Sequence, residues 1–316
     1  LYIIEEIIMS KVLVTGATGF VGSNFTWYLI NKQCKVFALV RPTSKVDELI
    51  RNGVEIINFD GNINSLINSL KSIKPDIVFH LASLFITEHT PNQVVDLVNS
   101  NILFPTILVE AMVNAGVQNF VNIGTIWQHY KHDCQEYLPV NLYSATKQAF
   151  IDMLKYYIDA FGLRVITLKL SDTYGPNDSR KKLLNLLKEA HLYGTEIALS
   201  PGEQMIDLVY ISDVVRAIYM AGMRLLELED IIYEEYSVDT KQPIKVRDLV
   251  KLYEEIAGVK LNIKIGAKPY RKREVFIPWN MGKWLPGWEP QISLRQGLKK
   301  FIESYTKQEE DVVNGL

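Results

Sequence analysis

The chain has 316 residues, 48% hydrophobic and 22% charged, with a formal net charge of −2, enough to bury a large core in one large or two smaller domains. No basic excess points to nucleic acid, and two cysteines, Cys34 and Cys134, are too few for a disulfide framework and suit a reducing, cytoplasmic compartment. The first apolar stretch, Leu1 to Met9, is broken by Glu5 and Glu6 and falls short of the roughly 20 residues of a membrane span; Met9 ahead of Ser10-Lys11 has the look of a translation start, so 1–9 are expected to fray as an upstream extension.

The first predicted strand, 11–14, runs into Thr15-Gly16-Ala17-Thr18-Gly19-Phe20-Val21-Gly22, and a helix follows over 25–30. A glycine loop between a strand and a helix is how a chain cradles the pyrophosphate of a dinucleotide. Gly16 takes the positive φ of the turn, Gly19 lets the backbone approach the phosphates, and Gly22 lets the helix pack close on the strand. Thr18, Phe20 and Val21 complete the candidate cradle. A second strand, 35–40, ends in Arg41-Pro42-Thr43-Ser44-Lys45, where NAD-binding sites usually place an acidic residue. Arg41, with Ser44 or Lys45, suits the 2′-phosphate of NADP; the alternative is a solvated basic loop.

Further strands at 55–59, 77–80, 119–123 and 164–170 alternate with helical stretches. That alternation predicts a doubly wound α/β fold, a parallel sheet covered on both faces. Ligands of such sheets lie beyond the carboxyl ends of the strands, so Gly16, Ser83, Thr125 and Ser171 should converge. The alternation stops after Gly175-Pro176, and the charged end, 306–316, reads as a frayed tail.

Tyr143 and Lys147 are four apart, on one face of a helix, where the ammonium favours the tyrosinate. An unperturbed phenol, with a pKa of about 10, is a poor acid or base near neutrality, so a neighbouring cation is needed to bring it into range. Tyr28 and Lys32 share the spacing, but they lie in the helix after the glycine loop, where packing and solvation are the expected roles. His129-x-x-His132-x-Cys134 has a metal-ligand look, yet no second cluster completes a tetrahedral set; no metal site is expected, and the segment reads as a polar loop at the site's rim.

Together with the glycine loop, Tyr143-Ser144-Ala145-Thr146-Lys147 resembles the extended short-chain dehydrogenase/reductase family, the NAD-dependent epimerases and dehydratases, which mostly act on nucleotide-activated sugars. The resemblance covers nearly the whole chain: His80-Leu81-Ala82-Ser83, Asn101, Lys169 through Pro176, Asp207 through Asp213, and Gly287-Trp288-Glu289-Pro290 fall in the family's order. It implies a Rossmann domain of 10–176 plus 207–236 and a discontinuous substrate domain of 177–206 plus 237–305. It implies Thr125 as the hydroxyl partner of Tyr143 on the reacting oxygen, with capping of the turn as the structural alternative, and Lys147 on the nicotinamide ribose. Asp60, with Gly61, resembles the residue that bonds the adenine amino group; Leu81, Ala82, Ser83, Asn101 and Leu170 complete the implied cofactor contacts.

The family's dehydratases follow the hydroxyl residue with an acidic pair, but Ile126-Trp127 stands there, so hydride transfer remains. An NADP preference favours net reduction, in which Tyr143 protonates the alkoxide while Thr125 assists. The rival is an epimerase holding NAD; a non-catalytic dinucleotide sensor has little need of Thr125, Tyr143 and Lys147 together. Thr125 through Tyr130, followed by Pro139 through Tyr143, resembles the branch that reduces CDP-activated 4-keto deoxyhexoses, the abequose and paratose synthases of surface polysaccharide synthesis. Trp127, His129 and Tyr130 then line the sugar pocket, unless the aromatic loop is packing. Asp172 stands where many relatives have asparagine and Ile206 where many have arginine; Asp172 bonds a sugar hydroxyl or points away, and Arg273 supplies the missing charge or lies on a solvated face. A homodimer through the helices of Asn101 and Tyr143 is implied, although apolar helix faces could also be buried within one subunit.

Overall fold

A computed structural model describes residues 9–228, 230 and 232–314, with 307–314 given by their backbone. In chain order the first half reads β1 (Lys11–Thr15), α1 (Phe20–Asn31), β2 (Lys35–Val40), α2 (Asp47–Arg51), β3 (Glu55–Asn58), α3 (Ile63–Ile73), β4 (Ile77–His80), α4 (Val94–Val98), α5 (Phe104–Ala115), β5 (Asn119–Thr125), α6 (Leu142–Phe161) and β6 (Arg164–Leu170). Then follow β7 (Asp172–Tyr174), α7 (Leu183–Tyr193), β8 (Ile197–Leu199), β9 (Met205–Ile206), β10 (Leu208–Tyr210), α8 (Ile211–Glu227), β11 (Tyr233–Val238), β12 (Ile244–Lys245), α9 (Val246–Ala257), β13 (Ile263–Ile265) and α10 (Leu294–Asn314).

Seven parallel strands form one sheet in the order β11-β6-β5-β4-β1-β2-β3, the doubly wound α/β fold that the alternation predicts. Helices cover both faces, which is why β1 and β4 are apolar runs rather than alternating ones. Val12, Val14 and Phe79 pack with α1 and α8 on one face, and Leu13, Val78 and Phe120 with α3, α5 and α6 on the other. Strand order reverses between β1 and β4, whose ends set Thr15 beside His80, and a crevice opens at that switch point.

The pattern of the sequence does not reveal β11. Tyr233-Glu234-Glu235-Tyr236 is too polar for a doubly buried strand, and the structure puts it at the sheet edge, its carboxylates held by Arg224 and Lys169. It carries the sheet to Val238, past the domain boundary expected at 236. The short pairs β9/β12 and β8/β13 join 177–206 to 237–305, and β7/β10 ties the flanking strands together, beside the carboxyl ends of β5 and β6.

Met9 is core rather than tail. It is 2% exposed and lies beneath α8, where a Cβ on Gly222 would come 2.9 Å from its Cε and 2.5 Å from Phe79. Residues 1–8, the rest of the expected extension, lie outside the described residues. At the other end α10 continues to Asn314, where the sequence suggests a tail from 306. Between them, the helical run Pro91–Ala115 is long and apolar enough to cross a bilayer by length and composition; Leu97, Leu108 and Met112 turn inward, while Val95, Val98 and Leu103 remain on the surface. A π-helical turn at Asn99–Leu103 interrupts it and brings Asn101 inside.

Candidate active site

The loop after β1 shows why three glycines are spaced as they are. Gly16 has φ +72°, and a Cβ on it would sit 2.6 Å from the Ala82 amide nitrogen; a Cβ on Gly22 would lie 1.9 Å from the Gly16 carbonyl oxygen. A side chain at either position is thus excluded by backbone. Gly19 caps α1 without a side-chain bond and with no acidic residue in the first turn, leaving the amides of Phe20, Val21 and Gly22 facing outward at a positive helix end. Thr18 flanks them, and Leu81 and Ala82 form the opposite lip, Ala82 N–H donating to Thr15 Oγ1 at 3.1 Å. This open cradle fits a dinucleotide pyrophosphate.

Arg41 stands exposed at the end of β2, in a turn closed by Ser44 N–H to its carbonyl at 2.9 Å. A cavity of about 230 Å³ beside the loop is lined by Thr18, Ser23, Lys45 and Glu48 but not by Arg41. Asp60 follows β3 and is exposed, its carboxylate accepting the Asn62 N–H at 3.0 Å; Gly61 adopts φ +98°, and Leu170 ends β6, buried.

Burial sets the acid–base groups. Tyr143 is pushed up to about 12, chiefly by burial; a hydrogen bond with Ser83 and the Arg180 charge act downward and Asp172 acts upward. Lys147 is buried beneath it and pushed down to about 8. Desolvation outweighs the charges around the phenol and holds it above its ordinary value. Thr125 does cap the turn, its Oγ1 accepting the Trp127 N–H at 3.3 Å. Its own hydroxyl proton remains for a further bond.

Asn101, an implied cofactor contact, bonds within the protein. Its Oδ1 accepts Leu84 N–H at 2.9 Å and Ser83 Oγ–H at 3.2 Å, and its Nδ2 donates to Leu84 O and Thr146 Oγ1, each at 3.0 Å. With both ends of the amide engaged, it holds the β4 loop to α6 and sets Ser83 near Tyr143.

A cleft of about 400 Å³ opens between the ends of β5 and β6 and the smaller unit. Of the expected substrate-binding residues, Trp127 and Asp172 line it and Thr125, His129, Tyr130 and Arg273 do not. His129 is buried: Nδ1 donates to Glu136 O at 2.9 Å, Nε2 accepts from Lys169 Nζ at 3.1 Å, and the ring stacks on Trp279 at 4.2 Å. The backbone explains this, since Tyr130 N–H to Leu138 O and Leu138 N–H to Gln128 O fold 129–138 away from the cleft. Arg273 lies 4.3 Å over the Tyr130 ring and donates to Val140 O and Pro139 O. Among the described residues no three His, Cys, Asp or Glu side chains could hold a metal.

The cleft's positive charge comes from residues the sequence reading passed over. Lys182 is paired with Asp172 at 2.6 Å and lies over Phe85; Arg271 is paired with Glu274 and lies over Trp127. Phe85 meets Tyr143 edge-on at 5.0 Å and Trp127 at 5.7 Å, so it stands between the cleft and the phenol. Arg180 stacks on Phe20 of the glycine loop at 4.4 Å and bonds Asp178. Asn185 and Gln204 line the cleft, and their buried amide oxygens have no hydrogen-bond partner among the described residues. The Arg180-Lys181-Lys182 run is a visible charge signal, whereas nothing in the spacing of Lys268 through Glu274 distinguishes Arg271 from Arg273.

Known proteins agree with this architecture. The chain is 29% identical over 270 residues to a CDP-abequose synthase of Yersinia pseudotuberculosis, covering 85% of this chain and 91% of that one. A Thermotoga maritima UDP-glucose 4-epimerase solved with UDP-glucose superposes with a TM-score of 0.82 at 24% identity, over 95% of this chain and 99% of that one. A Thermus thermophilus UDP-glucose 4-epimerase in complex with NAD superposes at 0.79 and 22% identity, over 94% and 99%. Residues 12–231 match the model of one family across the glycine loop, Thr125, Tyr143 and Lys147, and the chain belongs to that family, the NAD dependent epimerase/dehydratase family.

Proposed function

We propose that this protein is a reductase that uses NADPH to convert the 4-keto group of a nucleotide-activated, CDP-linked 6-deoxy or 3,6-dideoxy hexose to an alcohol, for surface polysaccharide synthesis. One observation carries the reading: Tyr143 lies buried behind Phe85, beside a cleft whose acidic side chains are already bonded. Asp172 is held by Lys182, Asp178 by Arg180, Glu274 by Arg271, and Asp207 by the Thr240 N–H at 3.0 Å. Ile126 and Trp127 follow Thr125, so no free carboxylate is placed to drive elimination. The CDP-abequose synthase relative supports the CDP-sugar class, and the orphaned oxygens of Asn185 and Gln204 suit N–H donors such as a cytosine amino group.

When bound, reduced nicotinamide supplies the hydride. Tyr143 Oη donates its proton to the carbonyl oxygen as negative charge develops there, and Thr125 Oγ–H donates a second hydrogen bond to the same oxygen. Lys147, beneath the phenol, holds the ribose hydroxyls. The amides of Phe20 to Gly22 receive the pyrophosphate, and Arg41, with Ser44, Lys45 and Thr18, receives the 2′-phosphate.

The test is incubation with NADPH and a panel of CDP-, dTDP-, GDP- and UDP-linked 4-keto-6-deoxyhexoses, with products read by NMR. A CDP-linked alcohol is expected; ketones left unreduced, together with conversion of a nucleotide hexose bearing a C4 hydroxyl to its 4-epimer without loss of NADPH, would make the protein an epimerase. Arg41→Ala is expected to weaken NADPH but not NADH by roughly 1.5 to 3 kcal/mol, the scale of a bidentate guanidinium–phosphate contact, in titrations of nicotinamide fluorescence. The surface residues Val95, Val98 and Leu103, with Met153, Tyr156 and Phe161 of α6, support a homodimer through these helices; light scattering of the purified protein at the mass of a single chain would exclude it.

A further inference from the structure

The turn that carries Thr125 contains an amide that apolar packing does not require. Gln128 is 0% exposed; its Oε1 accepts the Thr125 N–H at 3.0 Å and its Nε2 donates to Gln148 Oε1 at 2.6 Å. A backbone N–H only donates, so the amide fits one way round, oxygen to Thr125 and nitrogen to Gln148. Gln148 follows Lys147 on α6. Gly124 provides the room, since a Cβ there would come 2.7 Å from Gln128 Oε1.

Buried amides cost stability unless bonded, and an apolar pair of similar shape would join the turn to the helix as well. What the amides add is direction. Resting on the reading of Thr125 as hydroxyl partner of Tyr143, we propose that Gln128 and Gln148 are a positioning pair that ties the catalytic turn to the catalytic helix and fixes where the Thr125 hydroxyl points. Both ends of the link are set. Gln128 holds the Thr125 N–H while Thr125 Oγ1 accepts from Trp127 N–H, closing one turn around the hydroxyl. On the helix side, Asn141 caps α6 through the Ser144 N–H at 3.0 Å, and Asn101 grips Thr146 one residue before Lys147.

Gln128→Met, Gln148→Met and the double variant keep side-chain length and remove the link. With the ketone that the unmodified protein reduces, each is expected to lower kcat about tenfold, the scale of one hydrogen bond, with KM for the sugar nucleotide changed by less than about twofold. The double variant is expected to be no slower than either single, because one link is broken once. Gln148→Glu keeps an acceptor for Gln128 Nε2 and should recover most of the rate. A readout free of turnover is hydrogen exchange at the Thr125 amide, which should speed about tenfold in Gln148→Met as its acceptor loosens. If a single variant with one orphaned amide fails to fold, the double variant, with both amides replaced, carries the same two readouts. Unchanged kcat and exchange, losses that multiply in the double variant, or an effect confined to KM would overturn the proposal. Slowing by Thr125→Val with none by the glutamine variants overturns this inference alone; no slowing by Thr125→Val overturns it together with its premise.

Discussion

Burial moves Tyr143 and Lys147 in opposite directions, the phenol up to about 12 and the ammonium down to about 8. Tyr143 thus carries its proton throughout the usable range, while Lys147 loses its charge as the pH rises through about 8. The reduction rate is expected to be level from about pH 6 and to fall above about 8 with the loss of one proton. Lys147→Arg removes that titration, so a limb unchanged in the variant would assign it to another group. Tyr143→Phe should keep the fold and NADPH binding but lose most turnover, because only the acid is removed; near-normal turnover would refute its role. Thr125→Val should lose less, on the order of 100-fold, the scale of one hydrogen bond to a developing oxyanion. The Tyr143/Lys147 spacing was legible in the sequence, but its meaning came from place: Tyr28 and Lys32 share it, and in the structure they meet Tyr219 at the α1–α8 contact. Arg271 and Arg273 sit in a stretch with no period, so only the folded backbone decides which one enters the cleft.

At the level of elements, the glycine loop is the least tolerant junction. Gly22→Ala pushes a methyl onto the Gly16 carbonyl and should cost on the order of 3 kcal/mol through overpacking, read as a lower denaturation midpoint; an unchanged midpoint would show that α1 can shift. Asp207 joins the strand before α8 to the smaller unit through Thr240, and burial raises its carboxyl to about 6. Its protonated form is the one the fold prefers, so its contribution is fully present below about pH 4 and is lost as pH rises through about 6. Asp207→Asn is expected to raise thermal stability at pH 7.5 and to flatten that dependence; a variant less stable at pH 7.5 would contradict it. Six strands could be read from alternation, because buried parallel strands are apolar throughout. The edge strand β11 could not, because its glutamates are neutralised by Arg224 and Lys169, partners that only the fold brings to them. The hydrogen-bond ladder that turns His129 away from the cleft leaves no side-chain pattern either.

Across the whole molecule, the sheet presents the glycine loop, Ser83 and Thr125 at one edge, and the smaller unit closes a cleft of about 400 Å³ over it. The family follows from that arrangement and from the match over 12–231; the proposed direction of hydride transfer rests on Arg41 in place of a carboxylate and on the resemblance to the reductase branch. The proposal of a net reductase is to be distinguished by experiment from an epimerase of the same fold, such as the Thermus thermophilus enzyme solved with NAD. The direct measurement is absorbance at the nicotinamide band when purified protein, first stripped and assayed for bound cofactor, is mixed with a CDP-linked 4-keto-6-deoxyhexose and NADPH. The account predicts no NAD carried through purification and one NADPH consumed for each ketone reduced, with NADH a poorer donor; tightly held NAD and a ketone left unreduced would contradict it.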